Sequence, residues 1–180
     1  FSLFMAQNTA GLVAATVVPL VTFGCALLLA ARIAWRLIGA EAAGMVCLIM
    51  ALSVPVIFRM APLRIDDHGW QIVLALLALN GMMARDPRQG GIVTGIALAL
   101  WISISIEGVP FALAICGVAA LRWLGDRHSS CRFVSMMMSL AAGSALIFAA
   151  TRGFADMTHY CDAVSPAHLG VFAWGGVAAF

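Results

Sequence analysis

The chain has 180 residues, of which 63% are hydrophobic and only 10% charged, with a mean hydropathy of +1.03, against roughly 45–50% apolar and 25% charged for an ordinary soluble domain. This composition excludes a soluble globular fold. The net charge of +2, carried on ten arginines and no lysine and spread thinly along the chain, argues against nucleic acid as a partner. At ~20 apolar residues per spanning helix, the length holds about six or seven spans and leaves no room for a separate aqueous domain. The expectation is therefore an all-α polytopic transmembrane helical bundle forming a single domain over residues 1–180.

Charges mark the span ends, because a charged side chain at the centre of a bilayer costs at least ~2.5–3.5 kcal/mol. The uncharged runs predict helices over residues 10–31, 42–58, 69–84, 89–106, 108–121, 133–151 and 163 to the end. Several are short for ~30 Å of hydrocarbon and borrow length from snorkelling Arg85 and Arg122 and from interfacial Trp35, Trp70 and Trp123. Residue 1 is Phe, no charge precedes Arg32, and the chain closes inside an apolar run at Phe180, which reads as a segment of a longer protein without a signal peptide.

If successive connections alternate sides, the odd ones carry Arg32, Arg36, Arg85, Arg88, Arg122, Arg127 and Arg132 with Glu41, Asp86 and Asp126. The even ones carry Arg59, Arg64 and Arg152 with Asp66, Asp67, Glu107, Asp156 and Asp162. The arginine-rich set is then cytoplasmic, and residues 59–68, Glu107 and 152–162 face outward. This assignment takes Glu107 as a hairpin residue; inside one long helix it would swap the later connections. On the outward side it gathers Asp66, Asp67, His68, Glu107, Asp156, His159, Asp162 and His168, leaving His128 on the other.

The stretch Arg59-Met60-Ala61-Pro62-Leu63-Arg64-Ile65-Asp66-Asp67-His68-Gly69-Trp70-Gln71 puts two carboxylates and an imidazole at the mouth of a span. Such donors suit Mn, Mg or Zn. On a turn, Asp66 and His68 point to one side, while Asp67 points away or orients a ligand. The competing reading makes Asp66 or Asp67 a helix cap favoured by the dipole. Arg64, Arg59 and Arg152 offer guanidinium forks for phosphate, or else ordinary headgroup contacts. Glu107 interrupts a long uncharged stretch between Arg88 and Arg122, with Ser103 four residues earlier on the same helical face. It reads either as an acid approaching the outward cavity or as an interfacial hairpin residue beside the helix breakers Gly108 and Pro110.

Other features read as architecture. Gly91, Gly95 and Ala99 form a small-residue stripe for close helix packing. Met136, Met137 and Met138 point in three directions around a helix and do not form a copper site. Cys25, Cys47 and Cys116 lie in spans as small apolar residues, Cys131 and Cys161 fall on opposite sides, and no disulfide is predicted. His159, Asp162 and His168 match no compact metal motif. Phosphate loops, nucleophile elbows and His-Glu-x-x-His pairs do not occur, which excludes nucleotide hydrolysis, α/β-hydrolase chemistry and standard zinc proteolysis.

The string Arg64-Ile-Asp-Asp-His-Gly-Trp-Gln-Ile, in a second external loop of an all-helical membrane chain, resembles the Asp-His-His element of GT-C glycosyltransferases related to the oligosaccharyltransferase catalytic subunit. Cys161-Asp-Ala-Val-Ser-Pro-Ala-His168 resembles a segment of bacterial GT-C-like membrane proteins. The resemblance implies a GT-C-like fold and an integral bacterial inner-membrane protein with its site on the extracytoplasmic face. It implies a metal-dependent glycosyltransferase, with Mn or Mg as the ion, a polyprenyl-phosphate-linked sugar or oligosaccharide as donor and an acceptor of undefined identity. Asp66 and His68 match the metal-binding positions, and Asp67 stands where the pattern has its first His. Asp66 and Glu107 are the catalytic candidates, Asp66, Asp67 and His68 the metal candidates, and Arg64 and Arg59 the phosphate-binding candidates. The family's earlier acidic motif has no counterpart here, since no acid precedes Glu41; the stretch from Phe1 to Asn8 reads as the tail of the helix that follows that motif, and the segment is expected to be inactive alone. The rival readings are a transporter or lipid-carrier flippase with Glu107 and Asp66 as ion or proton sites, and a purely structural membrane subunit.

Overall fold

The computed structural model describes residues 7–63, 67–126, 129–151 and 166–178. In chain order these form α1 (Gln7–Leu37), α2 (Ala40–Leu52), α3 (Val54–Arg59), α4 (His68–Met82), α5 (Pro87–Ile104), a 3-10 turn (Ile106–Gly108), α6 (Val109–Gly125), α7 (Ser130–Thr151) and α8 (Pro166–Ala178). Among the described residues three stretches are long and apolar enough to cross a membrane: Thr9–Leu37, Ile106–Gly125 and Ser130–Thr151. Large apolar side chains such as Leu28, Leu121, Leu146 and Trp174 stand outward along the helices, as expected where the solvent is hydrocarbon. The chain divides into two compact units, residues 1–76 and 77–180, with the division inside α4.

In the first unit, α1 ends at Gly39, whose φ of 134° is open only to glycine, after Ile38 and Gly39 N–H both donate to the Ala34 carbonyl. α2 returns along α1, close enough for the Cys47 thiol to approach the Leu27 carbonyl at 3.8 Å. The run 42–58, expected as one helix, is two. Ser53 is extended (ψ 108°), and Pro55 sits in the first turn of α3. Pro55 lacks the N–H that would donate to the Ala51 carbonyl four residues back, and its ring crowds that carbonyl. The core of this unit gathers Ala26 of α1, Met60 after α3 and Val73 of α4, with Phe23, Leu29, Met50 and Val56 around them.

In the second unit, α5 starts on Pro87, and Asp86 caps it by accepting from the Arg88 and Gln89 N–H groups at 2.9 and 3.4 Å. A proline at the first helical position and an aspartate before it are both favoured there. α5 packs extensively on α7. The small-residue stripe is where they meet: a Cβ on Gly91 would lie 2.4 Å from the Arg132 carbonyl oxygen, and one on Gly95 2.3 Å from that of Met136. One turn further, Gly143 faces Ala99. The partner of each α5 position advances along α7 in step, so the two helices run parallel and α6 provides the return between them. Met136 and Met137 are buried and Met138 is exposed, as their three directions require.

The end of α4 is held by the same assembly. Gly81 and Gly90 approach so closely that a Cβ on Gly90 would lie 2.5 Å from the Gly81 carbonyl oxygen. Buried Thr94 donates its hydroxyl to the Gly90 and Ala78 carbonyls at 2.8 and 3.2 Å. The Arg132 guanidinium, from the first turn of α7, donates to the carbonyls of Gly81 (3.0 Å), Met82 and Ala84 (2.7 Å). Carbonyls at a helix end lack intrahelical donors, although that of Gly81 also accepts the Ala84 N–H at 3.0 Å, and a cation is electrostatically favoured there. Trp123 of α6 stacks on Phe133 of α7 with ring centroids 5.5 Å apart.

Gly95→Ala should destabilise the protein by about 1–3 kcal/mol, since the new methyl meets backbone and must part the helices. Gly117→Ala, with open space around its Cβ, should be neutral or stabilising by up to ~1 kcal/mol; denaturant unfolding of the solubilised protein compares the two. Arg132→Met should cost about 3 kcal/mol or more by the same assay, and Arg132→Lys should recover only part of it, because an ammonium cannot span three carbonyls as a planar fork does.

Candidate functional site

The loop candidates Arg59, Asp67 and His68 belong to the first unit. Their position is set by α1, through its internal Pro19. A proline has no N–H, so the Ala15 carbonyl four residues earlier loses its helical donor. The Leu63 N–H takes that place, donating to Ala15 O at 3.0 Å. Leu63 adopts a left-handed backbone (φ 67°) to make the contact, a conformation that costs a side-chain-bearing residue roughly 1–2 kcal/mol. Next to it, Thr22 turns its hydroxyl back onto the Val18 and Pro19 carbonyls at 3.1 and 2.9 Å, and buried Gly69 rests over Thr22 and Met60. The end of α3 and the start of α4 are thus both tied to α1 near its proline.

On this support Asp67 and His68 form a defined group. The Asp67 carboxylate accepts from Gln71 Nε2 at 2.9 Å through one oxygen and lies 3.2 Å from His68 Nδ1 through the other. The Asp67 carbonyl also accepts the Gln71 N–H at 3.1 Å. Asp67 therefore starts α4 but directs its carboxylate to side chains: to Gln71 one turn on and to the adjacent imidazole. Both side chains stay reachable, with 45% and 37% of their surface exposed. A carboxylate this close to Nδ1 is the kind of partner that orients an imidazole for metal binding through its other nitrogen. Arg59 closes the last turn of α3 on the exposed side.

Asp66 and Arg64 lie outside the described residues, as do Arg152, Asp156, His159, Cys161 and Asp162. His168 is placed in α8, but its side chain is outside the description. Among the described residues no group of three His, Cys, Asp or Glu side chains converges as a metal cluster.

Glu107 belongs to the second unit. It is exposed in the 3-10 turn between α5 and α6, its N–H donating to the Ser105 hydroxyl at 3.4 Å. The chain is not helical through this point: Ser105 is extended (φ −153°, ψ 131°), and the helix resumes with Pro110 in its first turn. The expected helical-face relation between Ser103 and Glu107 is therefore corrected. Ser103 instead donates to the Ala99 carbonyl within α5 at 2.6 Å. Gly108 is required here, since a Cβ would lie 2.7 Å from Trp101 Cδ1, and Trp101 packs at 4.7 Å between ring centroids on Phe111 of α6.

Sequence reasoning missed two residues that shape these regions. Leu63 gave no local signal, because its role comes from a carbonyl freed nearly fifty positions away. Arg132 did leave one, for a cation in the first turn of a helix opposes the dipole and asks for a tertiary reason. Comparison with protein-family models, with curated proteins and with solved structures finds no match for this chain.

Restoring a donor at position 19 tests how the loop is held. Pro19→Ala supplies an N–H that competes for the Ala15 carbonyl, and the Leu63 amide should lose protection by about fivefold, the worth of one ~1 kcal/mol hydrogen bond. Hydrogen–deuterium exchange reads this directly, with the amides of α5 as the unchanged internal reference.

Proposed function

We propose that this chain acts in an integral membrane glycosyltransferase that moves a sugar or oligosaccharide from a polyprenyl-phosphate-linked donor to an acceptor on the extracytoplasmic face of a bacterial inner membrane. The observation that carries the reading is the Asp67–His68 pair, with His68 Nδ1 held 3.2 Å from the carboxylate at the start of α4. Imidazoles that bind metals are commonly oriented by such a carboxylate partner. Asp66 and His68 would hold a divalent ion, Mn or Mg, with Asp67 serving as the orienting partner and less as a direct ligand. When bound, the ion supplies neutralisation of charge on the departing lipid phosphate.

The chain's own groups do the remaining work. Asp67 would orient the imidazole through Nδ1. The Leu63 N–H is tied to the Ala15 carbonyl of α1, four residues before Pro19. Arg64 and Arg59 would receive phosphate oxygens, the planar guanidinium matching them bidentately. Glu107 has a place in this account only as an exposed acid on the α5–α6 turn, available to an acceptor.

One observation favours the transporter or flippase reading: a helix interrupted at Ser53 is a feature of ion pathways through membranes. A single comparison separates the two. Mn(II) titrated into the purified protein and followed by electron paramagnetic resonance should bind saturably, and Asp66→Asn with His68→Ala should abolish that binding. Asp67→Asn should weaken it about 10–100-fold. Equal binding by all three proteins, or none, would remove the metal site and leave the transporter, with Glu107→Gln as its first test.

A further inference from the structure

A groove runs along α5 and α7 on the face where Ile92, Ile96 and Leu100 line one wall. It consists of two adjoining hollows of about 400 and 440 Å³ that share Ser139 and Ala142. The inner hollow is walled almost wholly by carbon; the outer one opens at Arg88, which is exposed at the start of α5. The groove exists because the floor residues are small: Ala99, Ala142 and Gly143 leave the hollow that the larger side chains flank.

We propose that this groove binds one acyl chain of an anionic phospholipid, with the lipid phosphate at Arg88. Three features select that occupant. From Arg88 to Leu100 the helix rises twelve residues, about 18 Å at 1.5 Å each, close to the ~15 Å of hydrocarbon that one leaflet contributes to a ~30 Å core. The polarity is that of an amphiphile, carbon along the length and a guanidinium at one end, whereas a packed protein helix would meet apolar surface at both ends. Arg88 also belongs to the arginine-rich connections, which the positive-inside rule assigns to the cytoplasmic side, where anionic headgroups face basic side chains. The inference is independent of the glycosyltransferase reading, for it uses none of the residues of the α1-supported loop.

The full chain reconstituted into phosphatidylcholine vesicles tests the proposal with two probes, phosphatidylglycerol and phosphatidylcholine carrying a nitroxide on the same acyl carbon. The wild type should show a motionally restricted component in the resonance spectrum and prefer phosphatidylglycerol about fivefold, the equivalent of ~1 kcal/mol for one basic side chain near the surface. Arg88→Gln should erase the preference and Arg88→Lys retain it. Ala142→Phe should remove the restricted component for both lipids; Ala142 is exposed at the helix surface, so circular dichroism should be unchanged. Equal retention of the two lipids by wild type, or an undiminished component in Ala142→Phe, would overturn the proposal. So would a dimer seen by sedimentation that Ala142→Phe dissociates without altering the lipid signal, which would make the groove a helix interface between copies.

Discussion

Inside a bilayer two helices gain nothing by hiding apolar surface from one another, because the lipid is as apolar as they are. What holds them is close contact and the satisfaction of backbone polar groups, and both meet where α5 lies on α7. Gly91 and Gly95 leave no room for a side chain against the α7 backbone, so the helices touch along their main chains. Arg132, at the start of α7, then reaches the carbonyls at the end of α4. One parallel helix pair and one guanidinium thereby fix three helices of the second unit, and α8 adds to it through Gly175, packed against Met137 of α7.

The first unit uses the same currency of unsatisfied backbone. Pro19 breaks one hydrogen bond within α1, and the vacated Ala15 carbonyl becomes the anchor for Leu63. In water such a carbonyl would find solvent; beside hydrocarbon it must find a protein donor. The strained backbone of Leu63 is tolerated because it satisfies that group. The Asp67–His68 pair follows within five residues. A helix-breaking residue in the middle of one element thus anchors a segment that follows another.

Much of the helical layout was legible from charge alone. Each uncharged run contains a helix, since a charge inside a span is costly enough to act as punctuation. The glycine stripe was legible too, because spacing of four on a helix admits only one face. The break at Ser53 was missed although its signal was present: Pro55 lies inside the run 42–58, and hydropathy does not register the loss of an N–H. The Ser103–Glu107 pairing failed for the related reason that Gly108 and Pro110 act on the backbone before them. Of the candidate site, residue types and their neighbourhood were readable, but the division of labour was not: whether Asp67 caps the helix, binds a metal or orients an imidazole depends on side-chain direction, which adjacent letters do not encode.

The central functional claim is that His68, held by Asp67, presents an imidazole nitrogen to a divalent ion at the start of α4. Electron spin-echo envelope modulation of the Mn(II)-loaded protein tests this most directly, because a coordinated imidazole imprints a nitrogen modulation on the manganese signal. The account predicts a nitrogen coupling that is present in the wild type, changes its pattern when histidine is labelled with ¹⁵N, and vanishes in His68→Gln. A manganese signal with no histidine nitrogen coupling, or one that persists in His68→Gln, would contradict it.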